Sequence, residues 1–268
     1  MTCHPWLIPL GFVIGAYGTL IGAGGGFILV PLLIILYPRE SPATITSISL
    51  AVVFFNALSG TAAYARMGRV DYRTGLIFSA AAVPGAVLGA LSTQLIPRPA
   101  FDNVMGALMI AASLFLFFRE GGGGAAPAHG RRGVMRRVLV EADGTRHEYA
   151  FSPLVGAALS TGVGLFSSLL GIGGGIIHVP AMVHLLDFPV HVATATSHFI
   201  LAIMALAGTV VHLAAGDFHR GGRRTFALAA GVVLGAQLGA WLARRVHGRW
   251  ILRGLAAALC ILGLRLLF

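Results

Sequence analysis

The chain has 268 residues, 57% of them hydrophobic and 10% charged, with a mean hydropathy of +0.86. That composition excludes an ordinary soluble domain and reads as an all-α polytopic membrane protein. The formal charge of +10 does not point to nucleic acid, because all nineteen basic residues are Arg and most lie in short connections between apolar runs, where they set membrane orientation.

The N-terminal stretch MTCHPWLIPLGF has neither a basic leader region nor a small-residue cleavage site, so the first apolar segment is expected to stay. Eight apolar runs follow: 7–36, 45–65, 75–96, 101–118, 153–186, 193–215, 225–243 and 250–268. The first and fifth are too long for a simple crossing. A continuous helix of about 30 residues would reach ~45 Å, against a hydrocarbon core of ~30 Å. Both carry a glycine cluster near the middle, GAGGGFILVP over 22–31 and GIGGGIIHVP over 171–180.

These two strings lie at an offset of 149, ATITS (43–47) matches ATATS (193–197) at 150, and VPGAVLGA (83–90) matches VLGAQLGA (233–240) at 150. Matches in one order at nearly one offset mark a duplication: a first transmembrane repeat over 1–118 and a second over 153–268. Between them, 119–152 reads as a flexible linker followed by a β-hairpin turning at Asp143 and Gly144, a small exposed cytoplasmic appendage. Cys3 and Cys260 lie in unrelated contexts and suggest neither a disulfide nor a metal site.

Orientation follows from Arg in the loops. If every segment crosses once, twelve fall on the hairpin's side and five on the other, which places the hairpin and both termini in the cytoplasm. If segments one and five re-enter and leave where they began, the split is again twelve to five, but the termini move across and the repeats become inverted. Arg counting leaves both arrangements open.

Three glycines in a row inside an apolar run predict a helix break, tolerated in lipid only where it packs in protein or lines a cavity. The plainer alternative is close helix packing. A half-helix resuming at Phe27 or Ile176 would present unpaired N–H groups, a place suited to an anion. The candidate substrate site is therefore Gly24, Gly25, Gly26, Thr46 and Ser47 in the first repeat, with Gly173, Gly174, Gly175, Thr196, Ser197 and His198 in the second. Pro31 and Pro180 are candidate helix-break positions, and His178 and His198 candidate proton relays. Capping, back-bonding and ordinary core hydrogen bonds are the structural alternatives for these side chains. Asn56, Gln94 and Gln237 are candidates to line a path, with interhelical hydrogen bonding as the equal alternative.

No Asp or Glu falls mid-segment, which disfavours a cation path or a carboxylate relay. His178, His184, His191, His198 and His212 lack ligand spacing within one helix, no metal or other cofactor is implied, and no nucleophile-and-base arrangement argues for an enzyme. Gly231, Gly235 and Gly239, with Gly85 and Gly89, read as tight helix contacts, within the chain or between subunits of a homo-oligomer.

The paired glycine strings, each followed by an AT-x-TS stretch and then by GTAAYARMGRVD or GTVVHLAAGDF, resemble the TauE/SafE family of membrane permeases, the sulfite exporter family. The glycine clusters, Pro31, Pro180 and both Thr-Ser pairs match that family's motifs. The resemblance implies a multi-pass plasma-membrane transporter of small sulfur-containing anions such as sulfite or organosulfonates, working without catalysis. Two other classes stay open on the residues alone: a metal or cation permease using His178 and His198, and a non-transporting membrane scaffold.

Overall fold

The computed structural model describes residues 6–118, 134–219, 221–243, 260–261 and 263–266. Most of the eighth apolar run lies outside the described residues, as does Cys3. The helices are α1 (Leu7–Ile21), α2 (Gly26–Leu36), α3 (Pro42–Arg66), α4 (Tyr72–Ser92) and α5 (Arg98–Phe118), then α6 (Pro153–Leu170), α7 (Gly175–Leu185), α8 (Val190–Ala214) and α9 (Gly222–Leu242). Among the described residues, five helical stretches are long and apolar enough to cross a bilayer, lying on α3, α4, α6, α8 and α9. Leu76, Leu88, Leu91, Phe226 and Leu234 point outward from α4 and α9, as a lipid-facing surface requires.

The long segments break at their glycines. Gly22 and Gly171 close α1 and α6 in the left-handed conformation, with φ of 88° and 70°, and Gly24, Gly25 and Gly173 also have positive φ, which a side chain would strain. Pro31 and Pro180 do not mark the breaks, contrary to expectation. Each lies inside a helix, α2 or α7, six residues in, where the chain continues for five more. The glycine turns have already reversed the chain before the prolines are reached.

Strand β1 (Met135–Val140) pairs antiparallel with β2 (Arg146–Phe151), Met135 opposite Phe151 and Val140 opposite Arg146. The Asp143–Gly144 turn is closed by Asp143 Oδ1, which accepts from Thr145 N–H at 2.9 Å. The hairpin is no free appendage, for Phe151 rests on Phe78, Tyr149 packs 4.5 Å from Phe188, and Arg69 and Asp71 in the α3–α4 connection pair with Glu141 and Arg137.

These contacts define a hairpin face. The opposite, distal face gathers the end of α2 with the starts of α3, α5 and α9. There Arg98 donates to the carbonyls of Ile34 and Glu40, while Arg224 pairs with Glu40 at 2.8 Å and lies over the Tyr37 ring. Helix α3 therefore runs from the distal face to the hairpin face and α4 returns. Helix α8 runs beside α4 in the same sense: Thr196 and Phe199 lie against the start of α4, and Gln94, just past its end, meets Asp217. So α3 and α8 are antiparallel.

Parallel partners place the broken segments. Gly11 and Gly15 of α1 lie on Leu228 and Val232 of α9, and Gly239 on Ala16, so α1 starts at the distal face. Gly85 and Gly89 of α4 lie on Thr161 and Leu165 of α6, so α6 starts at the hairpin face. Past each turn the chain doubles back: Gly25 packs on Ile14 and Gly18, and Gly174 packs on Val163 and donates its N–H to Ser167 Oγ at 2.6 Å. Both broken segments are re-entrant, and the repeats are inverted. The glycine stripes on α4 and α9 are consumed by contacts within the chain.

Candidate functional site

The two re-entrant turns meet. Gly26 abuts the carbonyls of Gly171 and Ile172, and Gly175 abuts Gly22 and Ala23, so the pseudo-symmetry axis passes between the glycine clusters. Val53 of α3 and Leu201 of α8 fill the space against Gly24, and Val53 also closes on Gly173.

Several predicted donors are already committed. Gly24 N–H donates to the Gly18 carbonyl at 3.1 Å, Gly174 N–H to Ser167 Oγ, and Gly175 N–H to the Gly173 carbonyl at 2.6 Å. The first turns of α2 and α7 close when Ile28 and Leu29 donate to Gly25, and Ile177 and His178 to Gly174. Gly26, Phe27 and Ile176 precede those bonds, and theirs are the N–H groups a helix start leaves without an intrahelical partner.

The hydroxyls divide in the same way. Ser47 Oγ donates to the Thr44 carbonyl at 2.8 Å, and Thr196 Oγ1 accepts from Asp71 N–H at 3.0 Å, so both hold the fold. Thr46 Oγ1 and Ser197 Oγ are buried without a partner. Thr46 faces the Gly171 turn, and Ser197 lies between Thr194, which faces Gly22, and Leu201, which faces Gly24, on one stripe of α8.

Those contacts also reset the repeat register. Gly22 faces Thr194 as Gly171 faces Thr46, and Gly60 faces His198 and Thr19 as Gly208 faces Leu50 and Ser168. Within α3 and α8 the structural offset is therefore 148, two residues away from the sequence match at 150. In both strings Thr recurs at every second position, so a slip of two still lays Thr on Thr. His198 is thus the counterpart of Leu50, not Ile48, and Asn56 of Met204.

His198 anchors a polar cluster. Its ring is fully buried, lies 5.6 Å edge-on from Tyr64, and meets the Cα of Gly60 from across the helix interface. Nδ1 lies 3.3 Å from the Thr194 carbonyl, an acceptor only, so Nδ1 carries the hydrogen and the neutral ring presents Nε2 as an acceptor. That Nε2 has no partner. Beside it, Thr19 Oγ1 donates to Asn56 Oδ1 at 3.2 Å, Tyr64 Oη donates to the Thr19 carbonyl at 2.9 Å, and the Asn56 Nδ2 group is buried and unpaired. Thr19, Gly60 and Tyr64 were not among the predicted residues and Asn56 was predicted only as a path-lining candidate, although Asn56, Gly60 and Tyr64 stand at i, i+4 and i+8 on one face of α3.

His178 stands elsewhere. Ser160 Oγ donates to the Gly156 carbonyl at 2.7 Å and lies 3.1 Å from His178 Nε2, and the imidazole packs near Phe78. His212 pairs with Asp217 at 2.7 Å. The three buried histidines share no partner, and among the described residues no three His, Cys, Asp or Glu side chains converge as a metal site would need. Gln237 bonds Ser59, the interhelical role, and Gln94 meets Asp217 beyond the end of its helix.

The cluster connects to the hairpin face through Thr196 and Asp71. Asp71 caps α4 and accepts from Thr74, from Tyr149 Oη at 2.7 Å, and from Arg137 at 2.6 and 3.1 Å. Burial would raise its carboxyl, but hydrogen bonds from Arg137, Thr74 and Tyr149 together hold it below the usual carboxylate range. Burial, helped by the Asp71 charge, pushes the Tyr149 phenol up.

The family model described as sulfite exporter TauE/SafE matches residues 7–266. The chain is 35% identical to the probable membrane transporter protein YunE of Bacillus subtilis (strain 168), over 98% of this chain and 96% of that protein. It is 24% identical to the probable membrane transporter protein MJ0441 of Methanocaldococcus jannaschii, over 79% of this chain and 73% of the relative. No solved structure matches it significantly. An inverted repeat of broken apolar helices, matched to this family along nearly its whole length, makes the chain a membrane transporter of the TauE/SafE sulfite exporter family.

Proposed function

We propose that this transporter is a plasma-membrane permease for small sulfur-containing oxyanions, sulfite or organosulfonates, with export as the working direction and the hairpin in the cytoplasm. The observation that carries the proposal is the stripe of α8 facing the first glycine turn, where Ser197 Oγ and His198 Nε2 are buried with no partner. Unpaired polar atoms at membrane depth are costly unless something periodically fills them. The N–H groups of Gly26, Phe27 and Ile176, at helix starts that meet near the axis, supply positive dipole ends in the same region. Thr46, across the axis, offers a further hydroxyl.

With the first and fifth segments re-entrant, counting along the sequence assigns twelve loop Arg to the hairpin's side and five to the other, which supports a cytoplasmic hairpin. The cycle is alternating access, one repeat rocking against its inverted mate about the α3–α8 contact. His198 lies where the anion and a coupled proton would meet. The test is flux of sulfite, organosulfonate and sulfate into proteoliposomes holding the full chain, with and without a pH gradient. Saturable flux of an anion, lost in Gly174→Leu and His198→Ala variants that still fold, is expected. Absence of flux for all three under both gradients refutes the reading.

A further inference from the structure

Resting on the permease reading, we propose that the Asn56–His198 cluster is a site for a singly charged oxyanion that still carries a hydroxyl, the hydrogen form of a weak oxyacid, so that anion and proton cross together as one species. Two complementary vacancies in hydrogen bonding define it. Nε2 of His198 can only accept while the ring is neutral, because Nδ1–H is turned to the Thr194 carbonyl. Asn56 Nδ2 can only donate, its Oδ1 being occupied by Thr19 Oγ1. Both residues are fully buried, both atoms lack partners, and both side chains adjoin Thr19 beside Gly60. A ligand with an O–H to give and an anionic oxygen to receive a hydrogen bond satisfies both at once.

A fully deprotonated dianion does not. It has no hydrogen for Nε2, and no Lys or Arg is among the described contacts of the cluster, so a second charge would sit uncompensated in a low-dielectric interior. A sulfonate, with one charge and no hydroxyl, leaves Nε2 unpaired. Sites built to bond a hydroxyl reject analogues that lack it. The titratable group facing the ring is Tyr64 of α3, whose hydroxyl is spent on the Thr19 carbonyl. Arg69, beyond it on the α3–α4 connection, is held by Glu141, while among the described contacts α1 gives Thr19 and α8 gives Thr194. The arrangement would also allow proton coupling without a carboxylate in the middle of any segment, since the substrate brings its own proton.

The repeat symmetry supplies a control inside the molecule. The counterparts of His198 and Asn56 are Leu50 and Met204, so the equivalent place beside the second turn offers Ser168 but neither the acceptor nor the amide. One site per chain is expected.

The test is equilibrium binding to the purified full chain of three probes, sulfite, methanesulfonate and sulfate, from mildly acidic to mildly alkaline pH, read by calorimetry and by thermal stabilisation. Apparent sulfite affinity should fall about tenfold per pH unit once pH exceeds the second dissociation of the acid, and methanesulfonate should bind at least about tenfold more weakly at every pH. Sulfate should not compete. His198→Leu should erase the preference for sulfite over methanesulfonate, His198→Gln should restore part of it through its amide oxygen, and Asn56→Leu should weaken both probes. Methanesulfonate binding that strengthens in acid would put the proton on His198 and overturn the inference, as would equal, pH-independent affinity for sulfite and methanesulfonate. Should the variants fail to fold, the three-probe comparison on the unaltered chain decides alone. If all three anions move equally well the permease reading stands and this inference falls; if none binds or moves, both fall.

Discussion

Two glycines of α6, Gly162 and Gly164, should respond to the same substitution with opposite signs. A Cβ built on Gly162 meets nothing within 4 Å, so Gly162→Ala gains helix propensity without a steric cost, about 0.5–1 kcal/mol. A Cβ on Gly164 overlaps the carbonyl oxygen of Ala82, with the backbone of Ala86 at 3.1 Å behind it. Those atoms belong to the backbone of α4 and cannot rotate away, so the parallel helices must separate, an overpacking cost of about 1–3 kcal/mol. Both variants share the propensity gain and the change in the unfolded chain, so their difference isolates the contact: Gly164→Ala should be the less stable by about 1–3 kcal/mol. Thermal unfolding of the detergent-solubilised chain reads this as a separation of about 2–4 °C per kcal/mol. Equal melting temperatures, or a higher one for Gly164→Ala, would refute the close parallel packing of α4 on α6 and with it the placement of the second re-entrant segment.

Three further outcomes follow from single contacts. Arg137→Gln removes the cation from a carboxylate whose side chain is 1% exposed, while Thr74 and Tyr149 remain, so hairpin docking should weaken by about 1–3 kcal/mol, visible as faster amide exchange in β2. Because the folded Asp71 carboxyl lies below its ordinary value, its contribution is complete above that value and is lost only as pH falls through the lowered one; docking should be flat from neutral pH to about pH 5, and release near neutrality would contradict it. Gly25→Ala, at φ 81° and against Ile14, should cost about 1–2 kcal/mol from the left-handed backbone alone, measured by the same melts. His178→Leu leaves Ser160 still donating to Gly156 and should lower stability by about 1 kcal/mol with anion affinity unchanged; a loss of affinity at unchanged stability would instead make His178 part of the transport path.

How much of this was legible beforehand depended on whether the physics was local. Breaks at the two glycine clusters follow from backbone cost within a few residues, and the turns fall where the clusters stand. The hairpin follows from alternation about Asp143–Gly144, but its docking does not, since Tyr149 and Phe151 need Phe188 and Phe78 from distant segments. The choice between parallel and inverted repeats was closed to Arg counting because both arrangements distribute the loops twelve to five. It took the pairing of α1 with α9 and α4 with α6 to decide it. The polar cluster was scattered over α1, α3 and α8, and only His198 of it was named as a site residue, because an isolated Asn or Thr in a membrane helix is usually bonded to its own neighbourhood. The period-two Thr string then misaligned the halves by two residues and hid that the counterparts of His198 and Asn56 are apolar.

That last mismatch bears on how an inverted repeat can work. Rocking between two equivalent states asks for matching backbone geometry in both halves, and the glycines supply it: Gly22 with Gly171, Gly24 with Gly173, Gly26 with Gly175, and Gly60 with Gly208 all meet corresponding neighbours. Binding asks for chemistry in one place, and there the halves part, with His198 and Asn56 beside one turn and Leu50 and Met204 beside the other. Had both places been polar, an anion would meet two wells and the chain would carry twice the buried unpaired polar atoms when empty, each costing on the order of 1–3 kcal/mol. Apolar replacement in one half removes that cost and leaves the hinge intact. On the proposed reading the duplication serves the motion and the departures from it mark the binding place; converting Leu50 to His and Met204 to Asn should lower stability in the empty state while adding no second transport path, because the opposite turn would still lack the Thr19–Tyr64 arrangement that orients the Asn56 amide.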